Sequence, residues 1–166
     1  MFKDVAVNEN FNFNIRGGSK RVHYFMSATV RHEEGMLKNI SKDYFSYDNN
    51  YSVWRYAFQN NLSVDLTNST KISLKINTQL KDTHGPVKRS EDIFGMIMNG
   101  NAADMPITYP SDPMVDHIRW GGKLMVKNPV AEMVSGYRDE FQSVLNANLS
   151  LDQNFDFLTK GLSASL

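Results

Sequence analysis

The feature that most constrains this chain is an alternation of apolar and polar residues with a period of two. Successive side chains of a β-strand point to opposite faces, so this period specifies strands with two unlike faces. Residues 54–66 carry it most fully. Trp54, Tyr56, Phe58, Leu62, Val64 and Leu66 share one face, with Asn60 the lapse, while Arg55, Gln59, Asn61, Ser63 and Asp65 share the other. In residues 71–81, Ile72, Leu74, Ile76 and Leu80 oppose Lys71, Ser73, Lys75, Asn77, Gln79 and Lys81. In residues 141–152, Phe141, Leu145, Ala147, Leu149 and Leu151 oppose Gln142, Asn146, Asn148, Ser150 and Asp152. Phe11, Phe13 and Ile15 alternate with asparagines. Residues 21–33 place Val22, Tyr24, Met26, Ala28 and Val30 together, with Phe25 intruding on the opposite face, and residues 158–166 alternate to the last residue.

Six strands joined consecutively make an all-β, antiparallel up-and-down meander, here read as a single segment covering residues 1–166. The links predict more than the strands do. Gly17-Gly18-Ser19-Lys20 is a short turn, residues 34–52 a long link rich in Tyr, Asp and Asn, Asn68-Ser69 short, residues 82–134 very long, and residues 152–156 short. A transmembrane β-barrel has this rhythm, with short periplasmic turns and long extracellular loops. Short helices are expected in the second long link. Ser90-Glu91-Asp92 reads as an N-cap with acidic first-turn residues ahead of Ile93, Phe94, Met96, Ile97 and Met98, ending at Asn99-Gly100. Asn128-Pro129 reads as an N-cap followed by Pro at the first helical position, running through Met133 towards Gly136.

Alternation alone fits a wet barrel lumen and the solvent face of a soluble sheet equally well. Length favours the barrel: residues 54–66 and 71–81 meet or exceed the roughly 9–11 residues a tilted strand needs to cross a bilayer, against about 5–6 for an average globular strand. Trp54, Tyr56 and Phe58 also gather next to a long link, where an outer aromatic girdle would sit. Six strands fall short of the roughly eight of the smallest bacterial barrels, and Phe2, Lys3 and Asp4 lack the apolar core of a signal peptide. Both lead to the expectation of a fragment. The competing readings are a soluble barrel or sandwich with the Trp54–Leu66 face turned inward on a small apolar ligand, and a porin or adhesin of another kind.

Composition narrows the functions. Lys and Arg together number 18, as do Asp and Glu, and the net charge is zero, which offers no basic face for nucleic acid. The absence of cysteine removes disulfides, Cys-based zinc sites and thiol nucleophiles. No apolar run is long enough for a transmembrane helix.

An ordered set of short motifs resembles the SusC/RagA family of TonB-linked outer-membrane transporters. Ile15-Arg16-Gly17-Gly18-Ser19-Lys20-Arg21-Val22-His23-Tyr24-Phe25-Met26-Ser27, continuing through His32-Glu33-Glu34-Gly35, is similar to a family hairpin. Arg55-Tyr56-Ala57-Phe58-Gln59-Asn60-Asn61-Leu62 with Leu66-Thr67 and Lys71-Ile72-Ser73-Leu74 resembles the next. Ile93-Phe94-Gly95-Met96-Ile97-Met98, Met105-Pro106-Ile107, Tyr109-Pro110, Asn128-Pro129-Val130-Ala131 and Phe157-Leu158-Thr159-Lys160-Gly161-Leu162 follow in family order across essentially the whole chain. Asn101-Ala102-Ala103-Asp104 departs from it, standing where relatives carry consecutive prolines, and nothing resembles the plug domain or the TonB box. The resemblance implies early barrel strands of an importer of glycans or peptides in a Gram-negative outer membrane. It also implies a SusD-like surface lipoprotein as lid partner, surrounding outer-membrane lipid, and a TonB complex reached only through parts this sequence does not contain.

No catalytic constellation emerges, and neither an enzyme nor a cofactor is expected. His23, His32, His84 and His117 are scattered, without metal-ligand spacing. The adjacent acid pairs Glu33-Glu34 and Asp139-Glu140 would point to opposite faces of a strand, and Glu91-Asp92 suits a helix start. No Gly-x-Ser-x-Gly elbow occurs. Gly17-Gly18 and Gly121-Gly122 read as turn glycines, not a phosphate loop. The candidates for contact with a substrate or lid are the aromatics of the long links, Tyr44, Tyr47, Tyr51, Tyr109 and Trp120, since flat rings stack on sugars. Packing of these rings against neighbouring loops is the plainer alternative.

Overall fold

The structure is a computed structural model that describes residues 2–100, 106–122 and 126–166. The four-residue departure Asn101-Ala102-Ala103-Asp104 and Met105 lie outside the described residues. Six strands form one sheet in sequence order: β1 (Asn8–Gly18), β2 (Val22–Glu34), β3 (Ser52–Asp65), β4 (Thr70–Pro86), β5 (Tyr137–Asn154) and β6 (Ser163–Ser165). The sheet is an antiparallel meander and is not closed. Two helices, α1 (Ser90–Asn99) and α2 (Pro129–Met133), lie in the second long link, and a single 3-10 turn (Ser41–Asp43) lies in the first. Among the described residues no helix is long and apolar enough to cross a membrane, which says nothing about strands.

The chain divides into two compact units. The strand unit comprises Val7–Glu33, Val53–Asp82 and Glu140–Leu166. Its register follows from side-chain parity. In the β1–β2 pairing Phe11 faces Val30, Phe13 faces Ala28 and Ile15 faces Met26, while Asn12 faces Thr29 and Asn14 faces Ser27. A slip of one residue would set every phenylalanine of β1 against a polar partner. The polar face is knitted laterally: Asn12 donates to Thr29 at 2.7 Å, the hydroxyls of Ser63 and Ser73 are 2.9 Å apart, and Arg55 pairs with Glu33 at 2.5 Å. The apolar face has no such cover. Phe11, Phe141, Leu145 and Leu149 are each 65–71% exposed, and Phe13, Ile15, Met26, Phe58 and Leu62 are exposed as well. Of the described residues in this unit, Val53 is the one buried hydrophobic side chain.

The loop unit comprises Met1–Ala6, Glu34–Ser52 and Thr83–Asp139. A small core of Leu37, Ile93 and Met133, flanked by Ile40, Phe94 and Ile97, holds it. Phe2 stacks on Phe94 at 5.1 Å, and Lys3 is pinned by a backbone bond to Met36 and an ion pair with Glu34 at 3.2 Å. The α2 cap forms as the sequence predicts. The Asn128 side chain accepts from the N–H groups of Val130 and Ala131, with Pro129 at the first helical position. The same buried amide donates to the carbonyls of Ile107 at 2.8 Å and Gly121 at 3.0 Å, tying the two sides of the antiparallel bridge between Thr108 and Trp120 to the helix. Gly121 is required there, because a Cβ would lie 1.6 Å from the Pro106 carbonyl oxygen.

Several boundaries depart from expectation. Arg89, not Ser90, caps α1, and no side chain serves the cap; Ser90 is already helical. Gly17 and Gly18 close β1, so the first turn is residues 19–21. β5 continues through Asn154, and the segment expected to alternate from Leu158 is a hydrogen-bonded turn until β6. In that turn Asp156 accepts from the N–H of Gly161 at 2.7 Å and from Asn154 at 2.7 Å, an ordering that local alternation does not encode.

Asn128→Ala removes two accepted and two donated hydrogen bonds at a buried site. It is expected to cost about 2–3 kcal/mol, read as faster amide exchange across residues 128–134. Asn128→Asp keeps the cap but turns a buried carboxylate oxygen onto the two carbonyls, and its cost should equal or exceed that of Ala.

Candidate functional site

The loop unit holds a cleft of about 360 Å³ lined by Glu34, Gly35, Tyr51, Thr83, Gly85, Arg89, Phe94 and Arg138 among others. Tyr51 is one of its two rings, with Phe94. It is seated by two glycines: a Cβ on Gly35 would lie 2.7 Å from the Tyr51 Cβ, and one on Gly85 would lie 2.9 Å from Cδ2. Gly35 also donates its N–H to the Tyr51 carbonyl at 2.9 Å. The backbone on both sides thus has no side chain where the ring lies, and any other residue would displace it. Around it stand a buried threonine, an apolar ring and charges of both signs, a combination suited to a polar ligand with a flat face.

The remaining candidate aromatics have different neighbours. Tyr44 and Trp120 come together, with ring centroids 4.9 Å apart and planes tilted by 56°. Tyr109 carries the guanidinium of Arg119 at 5.8 Å, the distance of a cation–π contact. Tyr47 is a structural ring: its phenol donates to the Val134 carbonyl, and it packs between Phe45 at 5.2 Å and Tyr137 at 5.6 Å. Burial raises the pKa of that phenol.

Polar side chains bind this unit together as much as its core does. Asn49, buried, donates to the carbonyls of Met133 at 2.5 Å and Gly136 at 3.3 Å. Asn39 donates to Asp48 at 2.7 Å, the Asn50 N–H does so at 2.8 Å, and Lys42 pairs with the same carboxylate at 3.1 Å. Burial opposes the charge on Asp48, but those three partners together outweigh it and hold the pKa below the ordinary carboxylate value.

Sequence reasoning missed two residues. His84 is not a stray surface histidine: it lies 2.5 Å from Asp139 and 3.0 Å from the Asp48 carbonyl. His32 stacks on Trp54 at 4.2 Å, and Trp54 on Tyr56 at 6.1 Å, so the expected aromatic band contains a histidine. Strand parity carried part of the second signal, since His32 follows Met26, Ala28 and Val30 on the apolar face. No group of three or more metal-ligating side chains occurs among the described residues.

No protein-family model matches the chain, and no curated protein or solved structure does so either.

Gly35→Ala is expected to disturb Tyr51 more than Gly85→Ala, because it meets the root of the side chain and not the ring edge. Adding Tyr51→Ala, which removes the ring but keeps Cβ, should restore most of the stability lost in Gly85→Ala and little of that lost in Gly35→Ala, measured as the unfolding midpoint of each double variant against its single. Equal losses in Gly85→Ala and its double variant would contradict the seating of the ring.

Proposed function

We propose that this chain is wall and outer loops of a Gram-negative outer-membrane β-barrel, a TonB-linked nutrient importer of the SusC/RagA type. The observation that carries the reading is the uncovered apolar face of the long-strand sheet. Fully burying one large apolar side chain is worth roughly 1.5–3 kcal/mol. The half-exposed residues of β1, β2, β3 and β5 therefore forgo on the order of 10 kcal/mol, comparable with the roughly 5–15 kcal/mol net stability of a whole domain. A covering apolar phase resolves this, and lipid is the phase that an antiparallel sheet of strands 11–18 residues long is built to cross once closed. An apolar groove of about 390 Å³ between Phe13, Ile15, Met26, Phe58 and Ile76 suits an acyl chain. The Trp54–Tyr56–His32 stack supports a girdle at the headgroup level. The alternation of short and long links supports one periplasmic and one extracellular end.

In this reading the Tyr51 cleft and the Tyr44–Trp120 pair face the outside. Tyr51 offers a stacking surface to a sugar ring or a planar peptide group, and Arg138, Arg89 and Glu34 offer hydrogen bonds to its edge. A SusD-like surface lipoprotein is the proposed lid, and coupling to TonB runs through a plug and a TonB box that this sequence does not resemble.

The test is fractionation of the native gene product from its source cells. The importer predicts an outer-membrane protein that resists carbonate washing and is released by detergent. A monomer stable in buffer without detergent would overturn it in favour of a soluble β-protein binding a small apolar ligand.

A further inference from the structure

His84 stands three residues beyond the stretch of β4 expected to cross a bilayer (residues 71–81), and both of its ring nitrogens face acceptors. Nδ1 lies 2.5 Å from the Asp139 carboxylate and Nε2 lies 3.0 Å from the Asp48 backbone carbonyl. Neither partner has a proton to give. A neutral imidazole carries one N–H and one lone pair, so it can serve one of these acceptors but must oppose the other. Only the imidazolium serves both.

The two acceptors belong to different segments. Asp139 is near the start of β5, and Asp48 sits in the first long link. The Asp48 side chain is itself fixed by Asn39, Asn50 and Lys42, so its carbonyl is presented on an ordered turn. The charged groups acting on His84 are the carboxylates of Asp139 and Asp48, and Lys42 pairs with the latter at 3.1 Å. Tyr137 covers the ring at 5.7 Å, with Tyr47 on Tyr137.

We propose that His84 is a protonation-dependent clasp that fastens the first long link to the start of β5 and releases one arm when it loses its proton. The link it holds carries Tyr44, Tyr47 and Tyr51, so the order of the candidate site varies with pH. The clasp lies wholly within the loop unit and operates whether or not the strands cross a membrane.

The direction is fixed by linkage. Burial disfavours the charged ring, but the bond to Asp139, the bond to Asp48 and the charges of both outweigh it, raising the pKa above the ordinary 6.5. A histidine with a raised pKa contributes stability that is complete below about 6.5 and is lost as pH rises through the folded value. The clasp is therefore closed in mild acid and opens towards alkaline pH.

Hydrogen exchange of the full chain, corrected for the intrinsic pH dependence of exchange, tests this. Protection of amides in residues 39–50 should fall about threefold or more between pH 5.5 and 8.5, while α1 stays unchanged. In His84→Gln the fall should vanish. NMR titration of the His84 ring in the wild-type protein supplies a further reading: its pKa should lie above the ordinary 6.5 and drop in Asp139→Asn. Protection independent of pH, an equal fall in His84→Gln, or a His84 pKa at or below 6.5 would each overturn the proposal.

Discussion

Backbone pairing and the uncovered apolar face together set the terms for the rest of the molecule. A strand can leave one face polar at no cost in water, but its backbone N–H and C=O groups must be paired wherever water is excluded. In this chain β1 to β5 pair in sequence order, and the apolar side chains of neighbouring strands are held in register, as Phe11 with Val30 and Ile15 with Met26. The face so assembled is continuous enough to need a cover, and the described residues of the strand unit bury one hydrophobic side chain. The opposite face satisfies itself through amide and hydroxyl bonds between strands. A face of that kind tolerates water, which a sandwich core does not.

The loop unit solves a different problem. Its three chain segments are long in irregular backbone, whose polar groups would be costly if buried without partners. Side-chain amides supply those partners: Asn128 to Ile107 and Gly121, Asn49 to Met133 and Gly136. Hydrogen-bonded loops of this kind hold rings such as Tyr51 in fixed positions without a large hydrophobic core. Binding residues tend to be displayed from loops fixed in this way on a rigid scaffold.

The strands were legible in the sequence because their signal is local: parity can be read from Trp54 to Leu66 without knowing what lies beside it. The α2 cap was legible for the same reason, since Asn128 and Pro129 are adjacent. What escaped depends on residues far apart in sequence. Nothing near Gly35 or Gly85 in the sequence marks either glycine until Tyr51 is placed between them. His84 meets Asp139 across 55 positions, and nothing near His84 announces it. Ser90 resembled a cap by type, yet the helix begins one residue earlier than that reading allows. The tail showed that alternation can mislead, because residues 158–162 alternate and yet fold as a turn around Asp156. Among the candidate aromatics, sequence could place all five in long links but could not separate Tyr47, spent on a backbone carbonyl, from Tyr51, which lines a cleft.

The central claim is that the two faces of the sheet meet different phases, and it is tested most directly along β5. The chain has no cysteine, so single cysteines can be introduced at positions 145 to 149 and spin-labelled without background. With the protein in lipid vesicles, collisions with oxygen report the bilayer and collisions with a water-soluble nickel chelate report the aqueous side. The account predicts a period of two: labels at Leu145, Ala147 and Leu149 favour oxygen, and those at Asn146 and Asn148 favour the chelate. Equal access of the chelate to both sets would contradict it and place both faces of the sheet in water.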